Sequence, residues 1–427
     1  MAEVKDLPEK LDVPDAVSEI ARRLEEDDCE TWAVGGAVRD VLLGESRSDW
    51  DLATAARPNT VRKMFRPSYP IGIQFGTVGV RGSDGRVYEV TTFRRDIETD
   101  GRHAVVEYAD DIDEDLGRRD FTINAIAYHP LRHIIHDPHS GWQDLQNKVI
   151  RCVGDPKQRF AEDYLRVLRG LRFAGRFRFQ IEQNTWDALT EAVPLLPRLS
   201  GERIREELLK ILDAADPSRS LALYRESGAL AVVFPELAGV EEDGWAQLLR
   251  TVDAISAARR NLRLTALFLP AGAQIESMMR RLRFSSAEIR HVTALSRALG
   301  VPLPAPGDVV AARRWLRDVL RDVPRDEQSD RARDVLRRHF GRARGREAGP
   351  ADRVRLAAQG RTVLNMLRRD DPVTVSRLVI DGNDLKELGL RPGPEFRRIL
   401  DDCLDAVIED PALNERDTLL ELVRRGM

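Results

Sequence analysis

Residues 32–54 read WAVGGAVRDVLLGESRSDWDLAT. This order of residue types predicts a strand, a glycine turn, a short helix opening at Ala37, a loop, and a second strand carrying Asp49 and Asp51. Residues two apart on a strand point to the same side, so the two carboxylates are expected to converge. Hard oxygen ligands so placed suit Mg²⁺, which is commonly held by one or two carboxylates together with nucleotide phosphates. Gly35 and Gly36 let the backbone approach a ligand closely, and the helix behind them aims free N–H groups at the same space. Arg39 falls in its first turn, where a guanidinium forks onto phosphate oxygens. Asp49 and Asp51 are therefore candidate metal ligands and catalytic residues, and Gly36 and Arg39 candidate nucleotide contacts.

Upstream, residues 1 to about 17 read as a loose extension, and Pro14-Asp15 opens an amphipathic helix with Val17, Ile20, Ala21 and Leu24 on one face. Downstream, strands are expected around Gly76–Val80 and over Arg86–Phe93, joined by the turn Ser83-Asp84-Gly85. On the second of these, Val87, Glu89, Thr91 and Phe93 share a face. Glu89 is a candidate third catalytic carboxylate, able to support a metal or take a proton from an attacking hydroxyl; the other reading is an exposed strand residue. Residues 94–116 are polar and acidic and predict a mobile loop, with a helix starting at Asp113 or Glu114.

Two further blocks carry chemistry. In RRDFTINAIAYHP, starting at Arg118, adjacent arginines on a short helix can neutralise a triphosphate, and Asp120 and Asn124 lie four apart on one face. RFAEDYLRVLRGLRFAGRF, from Arg159, puts Phe160, Leu165, Leu168 and Leu171 on a core side and Glu162, Asp163, Arg166, Arg169 and Arg172 opposite. Asp163 and Arg166, one turn apart, present an acceptor pair and a donor fork, the equipment for reading a base edge. His133, His136 and His139 stand three apart, a spacing no strand brings to one face, so they read as surface residues rather than a metal site.

GG-x-x-R-D followed about ten residues later by D-W-D resembles the nucleotidyltransferase superfamily that includes DNA polymerase β. More narrowly it is similar to class II tRNA nucleotidyltransferases (CCA-adding enzymes) and bacterial poly(A) polymerases. The class II motifs match at Arg118, Arg119, Asp120 and Asn124, at Glu162, Asp163 and Arg166, and at Glu202, Arg203 and Glu206 of SGERIREELLKIL; residues 381–407 resemble the family's tail segment. The resemblance implies that Asp49 and Asp51 bind Mg²⁺, that Gly36, Arg39 and Arg119 hold a triphosphate, and that Asp163 with Arg166 selects CTP or ATP without a nucleic-acid template. It also implies that Arg169 and Arg172 touch the nucleotide, and that Glu202, Arg203 and Glu206 brace the head.

The implied fold is α+β: an N-terminal polymerase β-like head of mixed sheet and helices, then an all-α neck, body and tail. Boundaries are expected at 1–153 (head, ordered from about residue 18), 154–214 (neck), 215–345 (body) and 346–427 (tail, contacting tRNA). The implied reaction adds CMP, CMP and AMP to the 3′ end of tRNA. A poly(A) polymerase is disfavoured because residues 70–75, Pro-Ile-Gly-Ile-Gln-Phe, lack the paired basics that mark those enzymes. A CC-only enzyme is disfavoured by the loop at 94–116; an A-only enzyme is not. Intact carboxylates weigh against a non-catalytic RNA-binding protein.

Composition sets the outer bounds. The chain has 427 residues, enough for two to four domains, with 42% hydrophobic and 32% charged residues, as in a globular protein. No apolar run reaches the length of a membrane span, and MAEVKDLPEKLDVPD is no secretory signal. Cys29, Cys152 and Cys403 form neither a zinc pattern nor a disulfide framework, which predicts a cytoplasmic location. A net charge of −4 argues mildly against nucleic-acid binding, and no DNA partner is expected. Arg313–Arg346, however, holds twelve arginines against six acids. That excess suits either RNA phosphates or a solvated helix pair.

Overall fold

The computed structural model describes residues 10–45, 49–99, 104–109, 111–321, 323, 328–345 and 349–426. The chain divides into two compact units, Met1–Ile211 with Arg219–Pro235, and Leu212–Ser218 with Glu236–Met427.

The first unit begins with α1 (Asp15–Glu25), β1 (Thr31–Val34), α2 (Gly36–Leu42), β2 (Asp51–Thr54), α3 (Pro58–Met64), β3 (Ser68–Gly72), β4 (Thr77–Arg81) and β5 (Val87–Thr92). It continues through β6 (Arg94–Thr99), β7 (Ala104–Tyr108), α4 (Ile112–Gly117), β8 (Ala127–His129), β9 (Ile134–His136), α5 (Gly141–Asn147) and β10 (Val149–Ile150). Then come α6 (Pro156–Glu162), α7 (Leu165–Phe177), β11 (Gln180–Ile181), α8 (Gln183–Ala192), α9 (Gly201–Leu212), α10 (Pro217–Glu226) and α11 (Ala229–Val233).

Seven strands form one sheet in the order β3-β4-β5-β2-β1-β8-β9. β2 and β5 are parallel, with Asp51 opposite Glu89, and the other neighbours are antiparallel. Alternation decides the two faces. Leu52, Val78, Val80, Tyr88 and Val90 are buried on the side covered by α1 and α3. On the other side Trp32, Val34, Ala53, Phe93, Ile112 and Leu116 form a second core, and that core supports the cleft described below.

Several expectations need correction. β2 starts at Asp51, so Asp49 precedes the strand: its partner β1 ends at Val34, opposite Asp51, where Gly35 turns the chain. The alternation nevertheless persists, with Asp49 and Asp51 exposed on either side of buried Trp50. Phe93 lies beyond β5 and is buried, unlike Val87 and Glu89. Residues 94–99 and 104–108, read as part of a loop, form an antiparallel strand pair, β6 and β7; 100–103 and 110 of that expected loop lie outside the described residues. α4 begins earlier than read, at Ile112, because Asp111 caps it by accepting from the Asp113 N–H. The N-terminal segment is engaged before residue 18: Leu11 is buried and its N–H donates to the Tyr128 hydroxyl at 3.2 Å.

The second unit is helical: α12 (Glu242–Asp253), α13 (Arg260–Phe268), α14 (Ile275–Arg281), α15 (Ser286–Leu299), α16 (Val309–Leu320), α17 (Gln328–Gly345), α18 (Pro350–Arg369), α19 (Gly382–Glu387), α20 (Pro394–Glu409) and α21 (Arg416–Arg424). α15 carries the capping box Ser285–Glu288 that its sequence announces. The arginine-rich stretch, described in part, is substantially neutralised within this unit. Arg313 pairs with Asp371 at 2.7 Å, Arg314 with Glu409 and Arg317 with Asp405, while Arg331 and Arg338 are buried.

Candidate active site

A cleft of about 650 Å³ in the first unit is lined by Gly35, Gly36, Arg39, Asp51, Glu89, Arg119, Asp120, Asn124, Asp163, Arg166, Arg169 and Arg172, among others. Nine of the ten candidate residues therefore share one space. Asp49 is not in the lining, although its charge is felt by Asp51.

The floor is built by the β1–α2 turn. Gly35 has φ +78°, the left-handed region that glycine tolerates. A Cβ there would lie 3.0 Å from Arg119 Nη1 and 3.9 Å from Asp51 Oδ2. Backbone, guanidinium and carboxylate thus meet where a phosphate and a cation would sit. Enclosure by the cleft, then the like charges of Glu89 and Asp49, push the Asp51 carboxyl up to about 6 against the pull of Arg119. A cation beside it would relieve that strain, so the donor set suits a hard divalent metal. Among the described residues no three His, Cys, Asp or Glu side chains form a closed metal cage, so phosphate oxygens would have to complete the shell.

Arg39 is buried and committed to protein partners: Nε donates to Asp40 at 2.8 Å and Nη1 to Asn124 Oδ1 at 2.5 Å. Burial pulls its pKa down against the pairing with Asp40. Its guanidinium also covers the Phe173 and Phe177 rings at 5.2 and 4.8 Å. Arg119 donates to Asp115 at 3.1 Å and to the Asn124 carbonyl at 3.2 Å, and its buried Nε has no hydrogen-bond partner. Asp120 accepts from Asn124 at 2.9 Å and from Arg169 at 2.6 Å. Burial opposes its charge, but Arg169, Asn124 and Arg166 overcome that and hold its carboxyl at about 2. Arg118 and Arg119 follow α4 rather than sit on it, and Asp120 and Asn124 meet around a 3-10 turn, Thr122–Asn124.

The expected single helix from Arg159 is two. α6 ends at Glu162, Asp163 is extended (φ −156°), and α7 starts at Leu165. Asp163 Oδ1 accepts from the Leu165 N–H at 3.0 Å, and Oδ2 accepts from Arg203 at 2.6 Å. Arg166 pairs with Glu162 and donates to the Arg159 and Arg118 carbonyls. Each member of the pair is thus anchored by groups outside it. Arg172 is buried on Glu207 at 2.6 Å, with Lys210 on the same carboxylate at 2.9 Å.

Reading the sequence for site residues missed Arg203, Phe173, Arg176, Lys210, Thr77, Thr91 and Arg94, all in the lining. Arg203 stood in a recognised motif, yet nothing in a separation of 40 residues reveals that it grips Asp163. Two of the three histidines have structural partners, His133 at the Tyr128 hydroxyl (2.8 Å) and His136 at Asp113, and Asp137 beside them caps α5 by accepting from the Gly141 N–H.

Residues 31–151 match the family described as "Poly A polymerase head domain", and 178–240 match "Probable RNA and SrmB- binding site of polymerase A". A CCA-adding enzyme of Geobacillus sp. (strain WCH70) is 34% identical, covering 96% of each chain. The solved CCA-adding enzyme of Bacillus stearothermophilus in complex with CTP is similar with a TM-score of 0.77 and 30% identity, over 96% of this chain and 97% of that one. The Thermotoga maritima CCA-adding enzyme complexed with tRNA shares the fold, with a TM-score of 0.63 at 20% identity over 97% and 95% of the two chains.

Proposed function

The chain belongs to the family of CCA-adding enzymes, and from that premise we propose how its cleft adds CMP, CMP and AMP from CTP and ATP to the 3′ end of tRNA, releasing pyrophosphate. The observation that carries the reading is the meeting of Gly35, Arg119 and Asp51 in one cleft with Asp163 and Arg166.

The 3′ oxygen of the terminal ribose bonds to the α-phosphorus of the incoming nucleotide as the bond to the β-phosphate oxygen breaks; the hydroxyl proton leaves to a base. Asp51, with Asp49, would hold Mg²⁺, which when bound supplies charge neutralisation at the phosphates. Glu89, opposite Asp51 on the neighbouring strand, is the candidate acceptor of the hydroxyl proton. The backbone at Gly36 and the Arg119 guanidinium hold the triphosphate. Arg39 acts chiefly by positioning, since its donors lie on Asp40 and Asn124. Asp163 and Arg166 present acceptor and donor groups to the base edge, with Asp163 held by Arg203. Arg169, fixed by Asp120, and Arg172, fixed by Glu207, complete the wall.

The division into head, neck, body and tail at 153, 214 and 345 belongs to this proposal, as does a cytoplasmic location, which the three free thiols suit. Among the described residues no helix is long and apolar enough to cross a membrane. The decisive assay incubates the chain with Mg²⁺ and tRNA ending at the discriminator base, at C or at CC, with each labelled nucleotide supplied singly. CMP on the first two and AMP on the third support the reading; runs of AMP on any RNA would overturn it in favour of poly(A) synthesis.

A further inference from the structure

The first unit carries a second hollow, of about 470 Å³, lined by Asn59, Arg62, Lys63, Arg66 and Ser68. No carboxylate is in that lining, and its three cations are exposed. Many surface arginines are matched with acids, as Arg280 is with Glu276 at 2.7 Å and Arg416 with Asp384 at 2.6 Å. Arg62, Lys63 and Arg66 have no such partner among the described contacts. Arg23 of α1 adds another positive charge close by, its guanidinium 4.8 Å over the ring of Phe65.

From this hollow β3 leads along the sheet edge, and its side chains change character. Tyr69 is 38% exposed, Ile71 52%, and nearby Phe75 50% and Val87 47%. Ile71 and Val87 close over Gly79, where a Cβ would lie 2.5 Å from Ile71 Cδ1 and 3.0 Å from Val87 Cγ1. Gly79 stands opposite Glu89 on β5 and opposite Tyr69 on β3. The apolar strip therefore lies on the same face of the sheet as Glu89 and runs from that carboxylate to the edge strand. Isolated exposed apolar side chains are ordinary; here Tyr69, Ile71, Phe75 and Val87 lie together on and beside the edge strand whose first residue, Ser68, lines the basic hollow on the α3 side.

Cations that track a backbone, beside flat apolar and aromatic surface, are what a single-stranded nucleic acid requires. We propose that this edge of the head is a second RNA-binding surface. Arg62, Lys63 and Arg66 take backbone phosphates of the substrate strand, and the strip of Tyr69, Ile71 and Val87 supports its riboses and bases on the way to Glu89. The identity of the strand as tRNA rests on the function proposed above.

The test uses the full chain with Arg62→Ala, Lys63→Ala and Arg66→Ala combined, all surface positions, and a separate Ile71→Ser. Binding to tRNA lacking its terminal CCA is measured without nucleotide from 50 to 200 mM salt, and CMP incorporation is measured in parallel. For the triple variant we expect affinity to fall about tenfold at 100 mM salt and the slope of log affinity against log salt to shrink by about 2. The KM for CTP and the melting temperature should stay as in the parent. Arg62→Lys with Arg66→Lys keeps the charge and should keep the slope, while Ile71→Ser should weaken binding without changing it. Parent-like affinity and slope in the triple variant overturn the inference. So does retention of the parent chain on phosphatidylserine vesicles that tRNA fails to displace. A parent chain that binds tRNA with the steep slope but incorporates no CMP would instead overturn the function and leave the surface standing.

Discussion

At the scale of single residues, Asp51 is held at odds with its surroundings, its charge opposed by enclosure and by Glu89. Its carboxyl is raised from 3.8 to about 6, so the folded state binds its proton more tightly than the unfolded chain does. The stability this confers is present below pH 3.8 and lost as pH rises towards 6. Asp51→Asn should therefore raise unfolding stability by about 1 kcal/mol at pH 8, after discounting for solvent screening, and change it little at pH 3.5. The same variant should lower kcat by about 100-fold or more while tRNA binding persists; denaturant titrations at two pH values and a nucleotide-addition assay check both arms. On the proposed function, base selection depends on a subtler residue. Arg203→Ala strips Asp163 of its 2.6 Å partner, and loss of a charged hydrogen bond of this kind is worth about 1.5–3 kcal/mol. Discrimination of CTP and ATP against UTP and GTP should fall about tenfold or more. Unchanged misincorporation would show that Asp163 orients itself. Asp163 was legible in the sequence because it belongs to a compact motif; Arg203's part in the site was not, because it arrives from another helix.

At the scale of elements, the break between α6 and α7 is what turns a salt-bridged helix into one wall of the cleft. Asp163 leaves the helical path and caps α7 through the Leu165 N–H. A continuous helix would have placed it one turn from Arg166 along a single surface, as the sequence spacing suggested. Asp120 ties the loop after α4 to the middle of α7 through Arg169. Its carboxyl falls from 3.8 to about 2 on folding, which contributes about 2 kcal/mol at neutral pH. That contribution is present above pH 3.8 and lost as pH falls to 2. Asp120→Asn should cost about that much at pH 7 and much less near pH 2, as equilibrium unfolding would show. α7 also packs closely on α10: a Cβ at Gly175 would lie 2.2 Å from Ser220 Oγ and 2.4 Å from its backbone nitrogen. Since backbone cannot swing aside, Gly175→Ala should cost about 2–3 kcal/mol. Gly117→Ala, with nothing within 4 Å, is the control and should be near neutral; equal melting temperatures for the two would sink the packing account.

For the whole molecule, the chain does not run through its units in sequence. It leaves the first at Ile211, contributes Leu212–Ser218 to the second, and returns with Arg219–Pro235 before leaving again. The returning segment buries Leu221, Tyr224, Leu230, Val233 and Phe234. A fragment 1–235 should fold cooperatively and bind CTP, whereas 1–211 should melt at least about 10 °C lower or fail to fold; calorimetry of both settles the point. By itself the sequence determined most of the order of elements in the head, nine of the residues that line the cleft, and the family, because glycine turns, strand alternation and short charged motifs act over a few residues and leave local marks. Only the tertiary structure decided that Asp49 stands before the strand, that residues 94–99 and 104–108 pair as strands, that Arg39 donates to Asn124, and that Arg203 holds Asp163. Those outcomes depend on which partner a backbone or side chain meets across tens of residues, and that is settled when the sheet and helices close on one another.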